Sequence, residues 1–359
     1  MIDYGAAPKS DELEVALFGP GYGEAIAVHL GEQNWMLVDS CLDPATREPA
    51  VETYLNQIGV DPSAVRVIVA SHWHDDHVRG LSRLVQVYSA AELQIASVFS
   101  DPEAQAFLAT FNGNAEAKLT RGTGELFRAV SLSKNTYHVH QRSTILDISL
   151  PSMSGRVVAA ALSPVQAAFA ASIARMANYI PRTDRDLPIG HAPGELRPNM
   201  EAVAVHIDWT HDAVLLGSDL EEHSTHGWTA VLSDAWSSER RPASVYKVAH
   251  HGSDSAHIQE LWTSLLQKDP IACLTPFNNG DQHLPTEQDR KRIRAITPHA
   301  FITSDATRRP SIQSDKLKRL GDLCTGLTRV NAGFGAVRLR KQSGASDWTV
   351  EQFGAARRL

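Results

Sequence analysis

Apolar residues in the first part of the chain recur in short runs separated by turn sequences. Three runs lie around the turns "PGYG" and "GEQ" in a pattern typical of a β-meander: "LEVALFG", "EAIAVHLG" and "NWMLVDS". The next segment, "DPATREPAVETYLNQIGV", has helical spacing, and "AVRVIVAS" after it predicts a strand that is buried on both faces. The N-terminal part is therefore predicted to be a sheet with a helix outside it.

The strand pattern resumes at Met200. "MEAVAVHIDW" and "DAVLLGSD" predict a second meander, and "ASVYKVAHHGS" and "IACLTPF" predict further strands with helices between them. "HAFITSD" and "GAVRLR" are the last predicted strands. Two β-rich halves with helices outside predict the α/β (α+β) class and a four-layer αββα sandwich, formed as a single domain over residues 1–359.

An excursion at about residues 165–198 separates the two halves. It consists of the Ala-rich helical segment "VQAAFAASIARMANYI" and the polar, Pro-rich "PRTDRDLPIGHAPGELRP". Such a composition is typical of a surface segment rather than of core. Its place between the halves would let it overhang the site as a lid.

Composition and charge describe an ordinary globular protein, with 43% apolar and 21% charged residues. The net charge of -7 gives no general attraction to nucleic acid or to an anionic membrane. A polyanionic substrate would therefore need a metal or a local basic patch. Residues 286–341 hold about thirteen Lys and Arg against about five acidic residues, which predicts either such a patch or simply solvated helix faces.

The cysteines and the N-terminal residues indicate in which cellular compartment the protein is expected. Cys41, Cys273 and Cys324 lie far apart without a CxxC motif, which favours a reducing environment. The first residues have neither a basic nor an apolar leader region, and no segment approaches eighteen apolar residues. We expect a soluble, cytoplasmic protein without a membrane partner. The sequence does not decide whether the chain binds a protein partner or forms a homo-oligomer.

Sixteen histidines are unusual, and three of them lie in "SHWHDDH", directly after the strand "AVRVIVAS". The spacing H-x-H-x-D-H comprises His72, His74, Asp76 and His77, four ligand types within six residues, which suits a loop around cations better than a helix face. Imidazoles with one carboxylate favour zinc, manganese or iron over calcium or magnesium. The alternative is a hydrophilic loop in which the histidines occur by chance.

Two later strand ends carry similar side chains. "VLLGSD" ends in Asp219, and "YKVAHHGS" contains His250 and His251. Loops at one edge of a sandwich can converge, and together with the first loop they predict a binuclear metal site. Taken alone, Asp219 could equally be a helix N-cap or turn residue.

These motifs resemble the metallo-β-lactamase fold superfamily of hydrolases: "MLVDS" with Asp39, the "HWHDDH" loop, "LLGSD" and "VAHHGS". Within it, "YKVAHHGS" and "PFNNGDQHLPT" resemble the soluble C-terminal hydrolase domain of ComEC-type DNA-uptake proteins. The resemblance extends over roughly residues 12–342 and is weak between about 85 and 195. The membrane channel of complete ComEC proteins is absent from this sequence, so DNA import is not inferred.

The resemblance implies a ligand set for two divalent metal ions, zinc first, with manganese or iron as alternatives. One ion is bound by His72 and His74, and the second by Asp76, His77 and His250, with Asp219 bridging them and Asp39 orienting the metal loop. Many relatives complete the first site with a histidine in a TPGH-like turn. The comparable turn here, "ALSPVQ", has none, which leaves that site open or completed from elsewhere, for example by His191, His223 or His226.

The expected chemistry is hydrolysis by a water that the metal pair activates. Asp76 is a candidate general acid, with His251 or His283 at the leaving group; His251 could instead orient His250, and His283 could be a turn residue. Lys247 is expected to extend its ammonium group to solvent. The leading hypothesis is a phosphodiesterase or nuclease acting on nucleic acid or nucleotides. A lactone, β-lactam or thioester hydrolase and a weakly active regulatory or binding component of a larger assembly are the alternatives.

Overall fold

The computed structural model describes residues 2–111, 121–178, 180, 196–304 and 333–359. In this part of the chain the strands are β1 (Glu12–Gly19), β2 (Ala25–His29), β3 (Trp35–Val38), β4 (Val65–Ala70), β5 (Glu92–Ala96), β6 (Thr136–Val139), β7 (Thr144–Leu150), β8 (Gly155–Ala161), β9 (Val205–Trp209), β10 (Asp212–Leu216), β11 (Ala243–Lys247), β12 (Leu266–Leu274), β13 (Phe277–Asn279), β14 (Gln282–Leu284), β15 (Ala300–Ile302), β16 (Gly335–Gln342), β17 (Thr349–Gly354) and β18 (Arg357–Arg358). The helices are α1 (Ala50–Gln57), α2 (Asp75–Val78), α3 (Leu81–Val87), α4 (Pro102–Phe111), α5 (Arg121–Leu132), α6 (Gln166–Ala177), α7 (Trp228–Leu232), α8 (Ala235–Ser238), α9 (Gln259–Ser264) and α10 (Glu287–Ile296).

Two eight-stranded sheets form the centre of the fold. The first has the order β17-β16-β1-β2-β3-β4-β5-β6 and the second β18-β15-β12-β11-β10-β9-β8-β7; β13 and β14 form a separate hairpin. The late strand β16 pairs antiparallel with β1 along its whole length, from Glu12 opposite Gln342 to Gly19 opposite Gly335. The end of the chain thus returns to the first sheet, and β17 and β18 follow the strand that the sequence pattern takes to be the last.

The core lies between the two sheets and beneath the helices. Alternate residues of β10 show this, because successive side chains of a strand point to opposite faces. Val214 and Leu216 belong to the core shared with the first sheet, whereas Ala213 and Leu215 pack with residues of α7 and α9 on the other face. A strand buried on both faces is what a layered sandwich requires, and the predicted mixed α/β sandwich is confirmed.

Parallel pairing brings several strand ends together at one edge. β3 pairs in parallel with β4 in the first sheet, and β10 pairs in parallel with β11 in the second. Asp39, the "SHWHDDH" segment, Asp219 and the two adjacent histidines each follow one of these four strands. The fold therefore positions the candidate chemistry on segments held by buried strands.

Several local expectations differ from the structure. α1 begins only after Pro49, because proline fits the start of a helix but not its interior. The motif expected to be a loop contains one helical turn, α2, which begins after His74. α6 and residues 196–198 belong to the predicted excursion, whereas residues 179 and 181–195 are outside the described residues, so the segment proposed as a lid is described only in part. Within the described part, no helix combines the length and apolarity needed to span a membrane.

Candidate metal centre

Four buried side chains converge where the two sheets meet the strand-end segments: Asp76, His77, Asp219 and His251. Nε2 of His77 lies 3.6 Å from Oδ2 of Asp76 and 3.3 Å from Oδ2 of Asp219. Nε2 of His251 lies 3.3 Å and 3.4 Å from the same two oxygens. Two imidazole nitrogens and two carboxylates therefore surround one point in the protein.

The polar atoms at this point lack ordinary partners. Oδ2 of Asp76, Nε2 of His77, Oδ1 of Asp219 and Nε2 of His251 are buried without a hydrogen bond of good geometry. Buried polar atoms are nearly always hydrogen-bonded, and exceptions call for an ion or another cause. Nitrogen and carboxylate oxygen are the donors that zinc and related divalent metals take. The residues present fit such a cation.

Asp39 orients the imidazole of His77. Nδ1–H of His77 donates to Oδ2 of Asp39 at 2.7 Å, which leaves Nε2 free to act as a ligand. Asp39 is fixed in turn by the amide of Ser71, 2.7 Å from Oδ1, and by the Ser71 hydroxyl, 2.7 Å from Oδ2. The orienting role implied for Asp39 agrees with these contacts.

His251 is oriented by residues that the sequence did not single out. Its Nδ1 lies 2.9 Å from the hydroxyl of Thr275, and that hydroxyl donates to Oε2 of Glu24 at 2.6 Å. Thr275 therefore accepts the Nδ1 proton, which again leaves Nε2 directed at the carboxylates. Glu24 is a single charge before an apolar strand, and only the folded chain shows what it contacts.

Lys247 is buried, with 2% of its side chain exposed, so its predicted extension to solvent is wrong. Its Nζ lies 2.6 Å from Oε1 of Glu24 and 3.6 Å from Oδ1 of Asp219, and it donates to the carbonyl of Ser218 at 2.8 Å. Burial lowers the pKa of Lys247, but Glu24 and Asp219 outweigh burial and raise it. Two carboxylates therefore keep a buried ammonium charged.

The electrostatics of the four-residue cluster favour positive charge. Burial lowers the pKa of His251, but Asp219 and then Asp76 outweigh it and raise the pKa to about 9. The pKa of His77 likewise lies well above its ordinary value, since the surrounding carboxylates overcome the effect of burial. Burial raises the pKa values of Asp76 and Asp219, yet both end below the ordinary range because His77 and His251 are adjacent. Without a metal ion the carboxylates thus favour protonated imidazoles at His77 and His251, and a divalent cation bound at this point would displace their Nε2 protons.

The other two histidines of the motif form a second donor pair. Nε2 of His72 and Nδ1 of His74 lie 3.0 Å apart, and Nδ1 of His72 faces the Ser71 hydroxyl at 3.0 Å. Burial lowers the pKa of both rings, so both stay neutral. Neutral imidazoles are the protonation state that metal ligation needs.

No described histidine lies in the turn that would complete this first pair. In that turn, the hydroxyl of Ser163 donates to the carbonyl of Ala202 and accepts from the amide of Ala204. His223 and His226 stack on each other with ring centroids 4.4 Å apart. His191 lies outside the described residues.

His250 and His251 face different surroundings. Both have left-handed backbone angles, φ 47° and φ 53°, and their ring centroids are 6.3 Å apart. Nδ1 of His250 lies 2.9 Å from the hydroxyl of Ser255 and 3.2 Å from Oε1 of Glu221, while Nε2 lies 3.4 Å from the amide nitrogen of Asn199. The structure thus brings His251 into the four-residue cluster and places His250 in the adjacent wall.

The cluster opens into a cleft with a cavity volume of about 670 Å³. One wall is the β13–β14 hairpin, in which the exposed His283 directs Nδ1 at Oδ1 of Asn278, 2.8 Å away. His283 lines the cleft together with His74, Asp76, Asp219, His250 and His251. The structure therefore places all predicted site residues except His72 and His77 along one cleft. His72 lies next to His74, and His77 lies next to Asp76, so both are adjacent to residues that line the cleft.

The described part of the basic segment is largely neutralised within the protein. Ion pairs join Arg292 to Asp289, Arg294 to Glu287, Arg338 to Glu351, Arg340 to Glu14 and Lys341 to Asp212. Residues 305–332, which carry much of the remaining basic excess, are outside the described residues. Most of the described basic residues of this segment are therefore engaged in ion pairs.

Comparison with known families agrees with the motifs. Residues 18–97 match the family model described as the metallo-beta-lactamase superfamily, which spans β2 to β5 and the whole "SHWHDDH" segment. No curated protein matches the chain.

Several solved structures are similar to this chain at low sequence identity. They include the metallo-beta-lactamase fold protein YhfI from Bacillus subtilis, 12% identical, covering 81% of this chain and 95% of that one with a TM-score of 0.41. The metallo-beta-lactamase SMB-1 bound to 2-mercaptoethanesulfonate is 14% identical, with 69% and 82% covered and a TM-score of 0.36. Zn(2+)-bound PqqB from Methylobacterium extorquens is 12% identical, with 78% and 85% covered and a TM-score of 0.33. Similarity at this level does not transfer an activity.

Proposed function

We propose that this chain is a metal-dependent hydrolase, as the sandwich fold and the match of residues 18–97 to the metallo-beta-lactamase superfamily support, and that it is a phosphodiesterase acting on nucleic acid or nucleotides. The observation that carries the proposal is the convergence of Asp76, His77, Asp219 and His251. Asp76, Asp219 and His251, each with an unpartnered buried atom, line an open cleft. A cation held there faces a space large enough for a substrate.

The protein residues supply orientation and charge. Divalent metal ions bound at this site would polarise a phosphoryl oxygen and lower the pKa of water. Asp39 and Thr275 hold the imidazoles of His77 and His251 with Nε2 turned inward. Lys247 offsets the negative charge of Glu24 and Asp219 beside the cluster. His72 and His74 are proposed to hold a second ion.

The walls of the cleft support a phosphodiester substrate. The side-chain amides of Asn279 and Gln282 line it, and such donors suit phosphoryl oxygens. Cleavage of a phosphodiester leaves an alkoxide that needs a proton. We assign its protonation to His283, which is exposed on the hairpin at the cleft, while His251 is engaged in the cluster.

The test combines metal analysis with a substrate panel. Natively purified protein is expected to hold about two transition-metal ions per chain and to hydrolyse bis(p-nitrophenyl) phosphate and an oligonucleotide. The variants His74→Ala and Asp76→Asn should lose most of both metal and activity. His211→Gln, at an exposed turn position, is the matched control and should behave as the natural protein.

Two other results would replace the proposal. Turnover of a lactone, β-lactam or thioester without phosphodiester cleavage would identify the other hydrolase class. Less than about one bound transition metal per chain, without turnover of any substrate, would favour a regulatory or binding component.

A further inference from the structure

A second cavity of about 420 Å³ lies beside the metal cleft. Tyr22, Asp75 and Asp76 line both spaces. A substrate whose reacting bond lies at the cluster would therefore extend into this cavity on one side. Its volume is within the range of small-molecule sites.

Three arginines line the second cavity: Arg47, Arg79 and Arg128. The Arg79 guanidinium is fixed from two sides, because it forms an ion pair with Asp75 and lies over the ring of Tyr22, 5.2 Å from the ring centroid. The Tyr22 hydroxyl donates to the same Asp75 carboxylate at 3.4 Å. Asp75, the residue of "HWHDDH" that no metal role uses, thus anchors an arginine between the two spaces.

The other two arginines retain hydrogen-bond donors. Arg128 pairs with Glu125 at 2.5 Å, and Glu125 also accepts from the amide and hydroxyl of Ser82. Arg47 is exposed and forms no ion pair with the described residues. A guanidinium has five N–H donors, of which one carboxylate engages at most two. The cavity therefore offers donors for a planar or tetrahedral anion.

Apolar surfaces complete the lining. Pro20, Leu42 and Pro44 lie in the same cavity as the arginines, and the Tyr22 ring packs near Phe277 with centroids 5.5 Å apart. A ligand with an anionic group and a flat apolar part matches this combination. A nucleotide has both parts, since its base offers a π-face and its phosphate accepts arginine hydrogen bonds.

We infer that the second cavity binds the nucleotide next to the scissile phosphodiester, with its phosphate on Arg47 and Arg79. The inference rests on the proposed function for the identity of the substrate, but not for the existence of an anion site. Arg79 and Asp75 then connect binding in the cavity to the metal cluster through the adjacent Asp76.

Direct binding is measured first, with thymidine 5′-monophosphate titrated calorimetrically into the metal-loaded protein. Arg47→Gln and Arg79→Gln are each expected to weaken binding roughly tenfold, because each removes a charge-assisted hydrogen bond. Arg156→Gln is the matched control: this exposed arginine pairs with Asp147 on β7 and does not line the cavity. Arg47 is exposed and forms no ion pair within the described ranges, so its substitution tests the site without breaking a described ion pair.

Kinetics then separates the cavity from the chemistry. The two cavity variants should raise KM for an oligonucleotide roughly tenfold and affect the hydrolysis of bis(p-nitrophenyl) phosphate much less, since that substrate has no flanking nucleotide. Arg156→Gln should change neither activity. Unchanged binding and unchanged KM in Arg47→Gln, or an equal loss on both substrates, would overturn the inference while the phosphodiesterase stands. Arg47-dependent nucleotide binding without any phosphodiester cleavage would instead reject the proposed function and retain the site.

Discussion

Two neighbouring histidines contribute to different parts of the metal cleft. Both positions have left-handed backbone angles, and the ring centroids of His250 and His251 lie 6.3 Å apart. Only the folded backbone determines which ring reaches the carboxylates, because "HHGS" offers both. In the folded protein it is His251 that reaches the carboxylates, because its Nε2 lies 3.3 Å from Oδ2 of Asp76 and 3.4 Å from Oδ2 of Asp219.

This selection gives the first prediction. His251→Ala should lower the affinity for one metal ion by more than about 100-fold, because a ligand loss should exceed the 10-fold to 100-fold cost of losing an orienting partner. His250→Ala should retain both ions with an affinity change below about tenfold. Competition with a chromogenic chelator measures both. The reverse order of the two variants would restore His250 as the ligand.

Lys247 carries the second prediction at this scale. Lys247→Met leaves Glu24 without its buried counter-charge, and removal of one partner of a buried ion pair costs about 3–5 kcal/mol. Urea unfolding of chelator-treated protein should show a loss of this size. Glu24→Gln in the Lys247→Met background should recover part of it. Equal stability of natural protein and Lys247→Met would mean that the ammonium group contributes no net stabilisation.

At the scale of elements, α5 supports the metal loop through a close backbone approach. A Cβ at Gly122 would lie 2.1 Å from the carbonyl oxygen of Trp73 and 3.0 Å from the amide of Asp75. The loop is held on its other side by Trp73, whose Nε1 donates to Glu201 at 3.1 Å. Glycine is therefore needed where the helix begins, since no side chain fits between it and the loop.

Two alanine substitutions on this helix form a matched pair. Gly122→Ala should displace the loop and lower both the stability and the metal affinity, the stability by about 1–3 kcal/mol as for overpacking. Gly124→Ala, where nothing lies within 4 Å, should leave metal binding intact and stabilise the helix by up to about 1 kcal/mol. Thermal unfolding and metal titration distinguish them. Similar behaviour of the two variants would contradict the close approach.

Elements with strong periodicity or a dense motif could be predicted from the sequence, whereas short strands and edge strands could not. β1 to β4 and the position of "SHWHDDH" follow from apolar runs and turn residues. The hairpin strands β13 and β14 have three residues each, too few to show a period. The edge strand β7 buries only Ile145 and Leu150, which lie five positions apart and so do not follow the two-residue period of a strand.

The same limit applies to the site. His72, His74, Asp76 and His77 are close in sequence, and their spacing alone marks them as candidate ligands. Glu24, Lys247 and Thr275 meet only in the folded protein, because more than 200 residues separate Glu24 from the other two. A lysine among apolar strand residues most often exposes its charge. Its burial here depends on partners that no local pattern contains.

At the scale of the whole molecule, each large sheet contains a buried neutral histidine. His29 on β2 contacts the Glu12 carbonyl through Nδ1 at 2.9 Å, and His206 on β9 contacts the Arg241 carbonyl through Nε2 at 2.8 Å. Burial lowers the pKa of each to about 4. Since the unfolded chain binds these protons near pH 6.5, both sheets should become less stable as the pH falls.

The sign follows from proton linkage, and it gives the last prediction. Between about pH 6.5 and pH 4 the unfolded chain binds more protons at His206 than the folded protein does, so the free energy of unfolding decreases as the pH falls. The shift corresponds to at most about 3 kcal/mol for this residue. His206→Gln keeps an N–H donor for the Arg241 carbonyl but cannot be protonated, and its stability loss over this interval should be smaller by up to that amount. His211→Gln, at the exposed turn after the same strand, should follow the natural protein. Urea unfolding at several pH values measures all three, and parallel curves for His206→Gln and the natural protein would show that His206 is protonated equally in both states.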